Sequence, residues 1–152
     1  MIAVIGCGNA NRCDDGVGPA VIALLRERQA GAPGARLLDA GTDGMAVMFS
    51  ARGARRLVIV DAARSGSEPG AVFEVPGAEV ARPYAPGLNL HDFRWDAALH
   101  AGRMIFRDDF PGDVTVFLIE AGSLDLGIGL SAPVAAAART VADRIGAMIG
   151  DG

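Results

Sequence analysis

The chain contains no lysine: all 14 of its basic residues are arginine, set against 18 acidic ones. Chemistries that need a lysine Schiff base, a phosphate-loop lysine or a serine–lysine pair are therefore excluded. Aromatic residues make up only 5% of the sequence, and no basic cluster is longer than Arg55-Arg56. Neither the stacking platform nor the positive footprint needed for nucleic acid is present, so no nucleic-acid partner is expected. Cysteine is scarce as well. Cys7 and Cys13 sit close together near the start, unlike the spread framework that staples small secreted domains, and a reduced cytoplasmic location is expected. Long apolar runs are also missing. Residues 17–25 and 134–138 fall well short of the ~20 residues that span a bilayer. The opening Met1-Ile2-Ala3-Val4-Ile5 is too short for a secretory leader and has no basic residue before Arg12. A soluble protein with no membrane partner is the expectation.

What is present is enough for one folded unit. The 152 residues are 51% hydrophobic and 21% charged, with a net charge of −4 and a mean hydropathy of +0.31. They fit a single domain over residues 1–152. Residues 2–5 form a β-branched run ended by Gly6 and Gly8, which predicts a strand buried on both faces. From Val17 the period becomes helical, with Pro19 in the first turn and Gly31 as a stop. A short strand at residues 36–39, a helix at 45–51 and a buried strand at 57–60 follow. Residues 64–90 hold one strand candidate, 71–75, among glycine, proline and serine. A helix over about residues 92–106, capped by Asp92, precedes a core strand at 114–119. A glycine-rich passage then leads to a last helix capped by Ser131, with Pro133 in its first turn. Val134, Val141, Ile145, Met148 and Ile149 mark its inner face. The alternation of strands and helices predicts an α/β fold with right-handed crossovers.

The most unusual passage is the first loop, Gly6 to Gly18. It begins as Gly-x-Gly after a strand, with Asp39 at the end of the next strand, as in a dinucleotide-binding fingerprint. The third glycine of that fingerprint is here Asn11, and Asp14-Asp15 would repel a phosphate at the helix N-terminus. A helix cap accounts for one of these carboxylates but not both. Asp61 directly follows the buried run 57–60, so it is expected to leave the carboxyl end of an interior strand, the edge where α/β sheets bind ligands. Of the two histidines, His100 falls mid-helix as a packing or surface residue. His91 precedes a helix and can reach the same edge. Asp15, Asp61 and His91 together make an O, O, N donor set suited to a borderline divalent metal with positions left open. Serine hydrolysis lacks a Gly-x-Ser-x-Gly elbow, the cysteines lack metal or redox spacing, and Phe93 and Trp95 read as core or groove-lining residues.

These residues occur in an order that resembles the nickel–iron hydrogenase maturation endopeptidases, peptidase family M52. The matching pieces are Gly6-x-Gly8-Asn9, Arg12-x-Asp14-Asp15-Gly16-x-Gly18, Asp39-Ala40-Gly41-Thr42, Val60-Asp61-Ala62, His91 and Gly127-x-Gly129-Leu130-Ser131. A passage similar to Gly-x-x-Pro-Glu after the last core strand is replaced by Ile119-Glu120-Ala121-Gly122. The resemblance implies a three-layer sandwich, a twisted and mostly parallel sheet of about five strands with helices on both faces. It implies a cytoplasmic, monomeric, aspartic-type or metal-dependent endopeptidase that removes the C-terminal extension of the hydrogenase large-subunit precursor after nickel insertion and so activates the hydrogenase. Asp15, Asp61 and His91 would be the catalytic residues and would bind the nickel ion, which is supplied by the substrate; another divalent metal can take its place in isolation. Asn9, Asp39, Gly41 and Thr42 would contact the substrate. A metal-polarised carbonyl and a general-base carboxylate are both compatible with that set. Two rival readings are a nucleotide- or cofactor-binding α/β module and a non-catalytic metal-delivery or scaffold protein.

Overall fold

A computed structural model describes residues 1–28, 34–83 and 93–151. His91, the expected Asp92 cap and the Gly31 stop lie outside the described residues. The strands are β1 (Ile2–Cys7), β2 (Ala35–Gly41), β3 (Arg56–Ala63), β4 (Val72–Pro76) and β5 (Asp113–Glu120). The helices are α1 (Val17–Arg28), α2 (Gly44–Ala51), the single turn α3 (Gly77–Val80), α4 (Trp95–Phe106) and α5 (Ala132–Asp151). One five-stranded sheet has the order β2-β1-β3-β5-β4. All neighbours are parallel except β4, which runs antiparallel along β5 at the edge. The expected three-layer α/β architecture is present.

Burial follows from strand position. Every residue of β1 is buried, whereas β4 alternates between exposed and half-buried, as an edge strand with one covered face does. The pleat divides the interior into two cores. Val4, Val58, Val60, Phe117 and Ile119 face α1 and α5, packing on Val21, Leu25, Val134, Val141 and Ile145. Ala3, Ile5, Cys7, Leu57, Ile59 and Val116 face α2 and α4, packing on Val47, Met48, Ala98 and Leu99. The inner face expected for α5 is the one buried. Asp61 has the parity of Leu57 and Ile59, and so belongs to the α2/α4 side.

Three expectations need correction. The strand expected at 57–60 continues to Ala63 because β5 is equally long and pairs with it, Asp61 opposite Leu118 and Ala63 opposite Glu120. Asp61 therefore lies inside β3 and is buried, not on a loop beyond it. Helix α4 begins at Trp95 and not near 92, and its N-cap position, Arg94, makes no side-chain cap. Ser131 does stand just before α5, where its carbonyl accepts the Ala135 N–H at 2.8 Å. Its hydroxyl, however, donates to Asp14. By contrast, Asp43 caps α2 with its carboxylate, accepting the Met45 and Ala46 N–H groups at 3.0 and 3.1 Å.

Helix α1 sits unusually close to the sheet. A Cβ on Gly18 would lie 2.3 Å from the Cys7 carbonyl oxygen and 2.6 Å from that of Val60, and one on Gly6 would lie 2.4 Å from the Gly18 carbonyl oxygen. Only glycine lets the start of α1 settle over β1 and β3, which draws the loop ahead of it down onto the sheet edge. Among the described residues no helix is long and apolar enough to cross a membrane.

Candidate functional site

From β1 the chain crosses to β2 on one side and, through α2, to β3 on the other. The order reverses between β1 and β3, and a crevice at their carboxyl ends is where an open α/β sheet takes a ligand. The loop after β1 fills one wall. Gly8 has φ +130, and a Cβ there would lie 1.9 Å from the Asp15 carbonyl oxygen and 3.5 Å from Asp61 Oδ1. The main chain of Asp15 and the carboxylate of Asp61 thus both border Gly8. Asp15 Oδ2 accepts the Asn9 N–H at 2.7 Å.

Asp61 is 5% exposed. Its Oδ1 accepts the Ala62 N–H at 2.8 Å, and its Oδ2 accepts the Trp95 indole Nε1–H at 2.7 Å. The Arg94 guanidinium stands 3.8 Å from Oδ2. Burial drives the Asp61 carboxyl up to about 6; the Trp95 and Ala62 hydrogen bonds and Arg94 pull it down, and the Asp15 charge pushes it up again. A carboxyl of this kind exchanges a proton near neutral pH, the property a general acid or base needs.

Asp14, adjacent to Asp15 in sequence, does something else. It is fully buried. Its Oδ2 accepts the Gly122 and Ser123 N–H groups at 2.8 and 3.1 Å and the Ser131 hydroxyl at 2.8 Å, while Oδ1 accepts the Ser131 N–H at 2.7 Å. Burial alone would raise this carboxyl, but the hydrogen bonds from Ser131, Gly122 and Ser123 outweigh it and hold it below its ordinary value. The backbone reinforces the tie, with Asp14 N–H donating to Ser123 O, Cys13 N–H to Gly127 O and Gly127 N–H to Asn11 O. Asp14 is thus the peg that fastens the β5–α5 connection to the first loop. Glu120 plays a similar part nearby: its buried carboxylate accepts the Ser65 hydroxyl and N–H, which hold it below its ordinary value.

The four residues expected to meet a substrate come together. Asn9, Asp39, Gly41 and Thr42, with Gly8, Ala10 and Pro19, line an open cleft of about 330 Å³. Asp39 Oδ1 accepts the Gly41 N–H at 3.0 Å, and the Gly41 carbonyl accepts the Gly8 N–H at 2.8 Å, which joins the ends of β1 and β2. The loop does not offer a phosphate cradle, since Asp15 takes the Asn9 N–H and Asn9 Oδ1 takes the Asn11 N–H at 2.9 Å. A larger cavity, about 410 Å³, lies at the amino ends of β1 and β3 between Arg55, Arg56, Asp113 and Met148, away from these carboxylates.

Asp15 and Asp61 therefore both border Gly8 at this sheet edge, while the third expected donor, His91, lies outside the described residues. Among the described residues no three His, Cys, Asp or Glu side chains form a metal-binding group. His100 is half-buried in α4. Cys7 is buried, and burial, with the nearby Asp61 charge, drives its thiol upward, so it stays protonated and inert. Two contributors escaped the sequence reading. Trp95 is a partner of Asp61 as well as a core residue, and Asp14 is an anchor. The cluster His91-Asp92-Phe93-Arg94-Trp95 was the only available signal for the first; the second had none, because its donors lie more than 100 positions away.

A family model described as hydrogenase maturation protease matches residues 19–147, and the chain belongs to this family. It is 31% identical over 137 residues to the hydrogenase expression/formation protein HupM of Azotobacter chroococcum mcd 1, covering 89% of this chain and 65% of that protein. It is 29% identical over 136 residues to the hydrogenase 2 maturation protease of Escherichia coli, covering 89% and 82%. The solution structure of an endopeptidase from Escherichia coli superposes with a TM-score of 0.80 at 27% identity, covering 95% of this chain and 89% of that one. The chain thus spans 65% of the length of HupM.

Proposed function

We propose that this protein is an endopeptidase that removes the C-terminal extension of the nickel–iron hydrogenase large-subunit precursor after nickel insertion, thereby activating the hydrogenase. The observation that carries the reading is the buried Asp61 carboxylate beside Asp15 at the sheet's switch point, in a chain of the maturation protease family. The nickel belongs to the substrate. Carboxylate oxygens of Asp15 and Asp61 with the His91 imidazole form a donor set that fits a borderline divalent ion. Both Asp61 oxygens keep a lone pair beyond the hydrogen bonds they accept. Asp15 Oδ1 accepts no hydrogen bond among the described residues.

In this reading the cleft of Asn9, Asp39, Gly41 and Thr42 receives the polypeptide next to the metal-binding carboxylates, so the scissile bond is held near them by binding energy. Water is activated either by a carboxylate acting as base or through a carbonyl polarised by the precursor's nickel. The enzyme works as a monomer in the cytoplasm, without nucleic-acid or membrane partner; a net charge of −4 and the lack of any basic run longer than Arg55-Arg56 support the absence of nucleic acid. The test is incubation with nickel-loaded and nickel-free precursor, followed by mass measurement of the large subunit. Cleavage only of the loaded form is expected; cleavage of neither form, or of both equally, overturns the reading.

A further inference from the structure

We propose that Trp95 is a positioning residue for Asp61, fixing the carboxylate in the orientation in which it meets the precursor's nickel. This rests on the function proposed above. The main chain of Asp61 is held by the β3–β5 ladder opposite Leu118, but its side chain still turns about the Cα–Cβ and Cβ–Cγ bonds. The Ala62 N–H restrains Oδ1 from the neighbouring peptide. The second restraint comes from a different element, the indole N–H of Trp95 at 2.7 Å from Oδ2. Two donors on two oxygens define the carboxylate plane; one donor does not.

Tryptophan suits the task. Its single N–H can only donate, and its large ring has only two side-chain torsions, so a packed indole points its donor in one direction. The Trp95 ring is partly buried against the core shared by β1, β3, α2 and α4. As the first residue of α4 it takes its backbone position from the helix, whose N-cap residue, Arg94, makes no side-chain cap. The indole N–H therefore serves Asp61 and nothing in the helix itself. Partners of this kind, one step removed from a metal, commonly change affinity or rate by about 10–100-fold.

The chain has one tryptophan, so its emission reports on the surroundings of Trp95 alone. Trp95→Phe keeps a ring and deletes the donor. With nickel chloride as probe, calorimetry is expected to show saturable binding to wild type and about tenfold weaker binding to Trp95→Phe. In precursor cleavage, kcat is expected to fall about 10–100-fold with KM within about threefold, because orientation acts on the reacting geometry and not on docking. Equal nickel affinity in the two proteins, no saturable binding to wild type, or a loss confined to KM overturns the proposal. If wild type cuts no precursor yet the tenfold difference in affinity holds, the positioning role stands and the proteolytic reading fails. Should Trp95→Phe not fold, wild-type fluorescence decides: saturable quenching by nickel that disappears in Asp61→Ala supports the proposal, and unquenched emission overturns it.

Discussion

Asp14 receives four hydrogen bonds from the segment leading into α5, whereas Asp61, also buried, receives two, one from its own neighbour and one from α4. Both carboxylates lie near the same edge of the sheet. The donors decide their fates: the first is held ionised below its ordinary value, the second is driven up to about 6. A buried carboxylate that four donors satisfy is an anchor, and one left with two donors is a costly group that a ligand or reaction can use. Asp15 has one oxygen on Asn9 and the other without a donor among the described residues.

The largest effect should come from the under-satisfied side. Asp61→Asn, Asp15→Asn and His91→Ala are each expected to lower precursor cleavage by about 10²–10⁴-fold with the far-ultraviolet circular dichroism unchanged. Full activity in Asp61→Asn would erase the contrast. On the other side, Asp14→Ala strands three backbone N–H groups and a hydroxyl, and should destabilise the fold by about 3–5 kcal/mol in urea unfolding. If Asp14→Ala were as stable as wild type, Asp14 would not be the anchor described.

The pH dependence sharpens the comparison, because the two signs oppose each other. The folded state depresses Asp14, so its contribution is complete above the ordinary value of 3.8 and is lost as pH falls through the lower folded value. The folded state raises Asp61 from 3.8 to about 6, so its contribution is complete below 3.8 and is lost as pH rises through 6. Thermal melts of Asp61→Asn and wild type should therefore meet below pH 4 and separate above pH 6, the variant more stable by on the order of 2–3 kcal/mol. A variant less stable than wild type at pH 8 would contradict the burial cost assigned to Asp61. The smallest effect is expected at the thiols: Cys13→Ser and Cys7→Ser should retain cleavage within about threefold, with Cys7→Ser alone less stable by roughly 1–2 kcal/mol because a hydroxyl enters the core. A strong loss of cleavage in Cys7→Ser at full folding would point to thiol chemistry.

Much of this was legible in the chain. Buried strands announce themselves as short apolar runs, and the glycines ahead of Val17 marked a loop followed by a helix; both signals are local. The carboxylates Asp15 and Asp61 could be singled out because charges next to buried strands are rare. The cleft residues Asn9, Asp39, Gly41 and Thr42 were named through the family resemblance alone; they meet because β1 and β2 end side by side, as parallel pairing with one crossover requires. Strand ends were read short, since extension of β3 to Ala63 depends on its partner β5 and not on residues 61–63 themselves.

What sequence alone determined was therefore the α/β order of elements, the buried strands and the candidate acids, all of which depend on patterns within a few residues. Only the tertiary structure decided which acid is which. Asp14 and Asp15 are neighbours of the same type, yet Ser131, 117 residues distant, binds one and Asn9, six residues away, binds the other. Likewise the indole of Trp95, 34 residues beyond Asp61, meets it only because α4 packs over the α2 face of the sheet. A carboxylate's proton affinity is set by the donors and charges within a few ångströms of it, and folding alone brings those together.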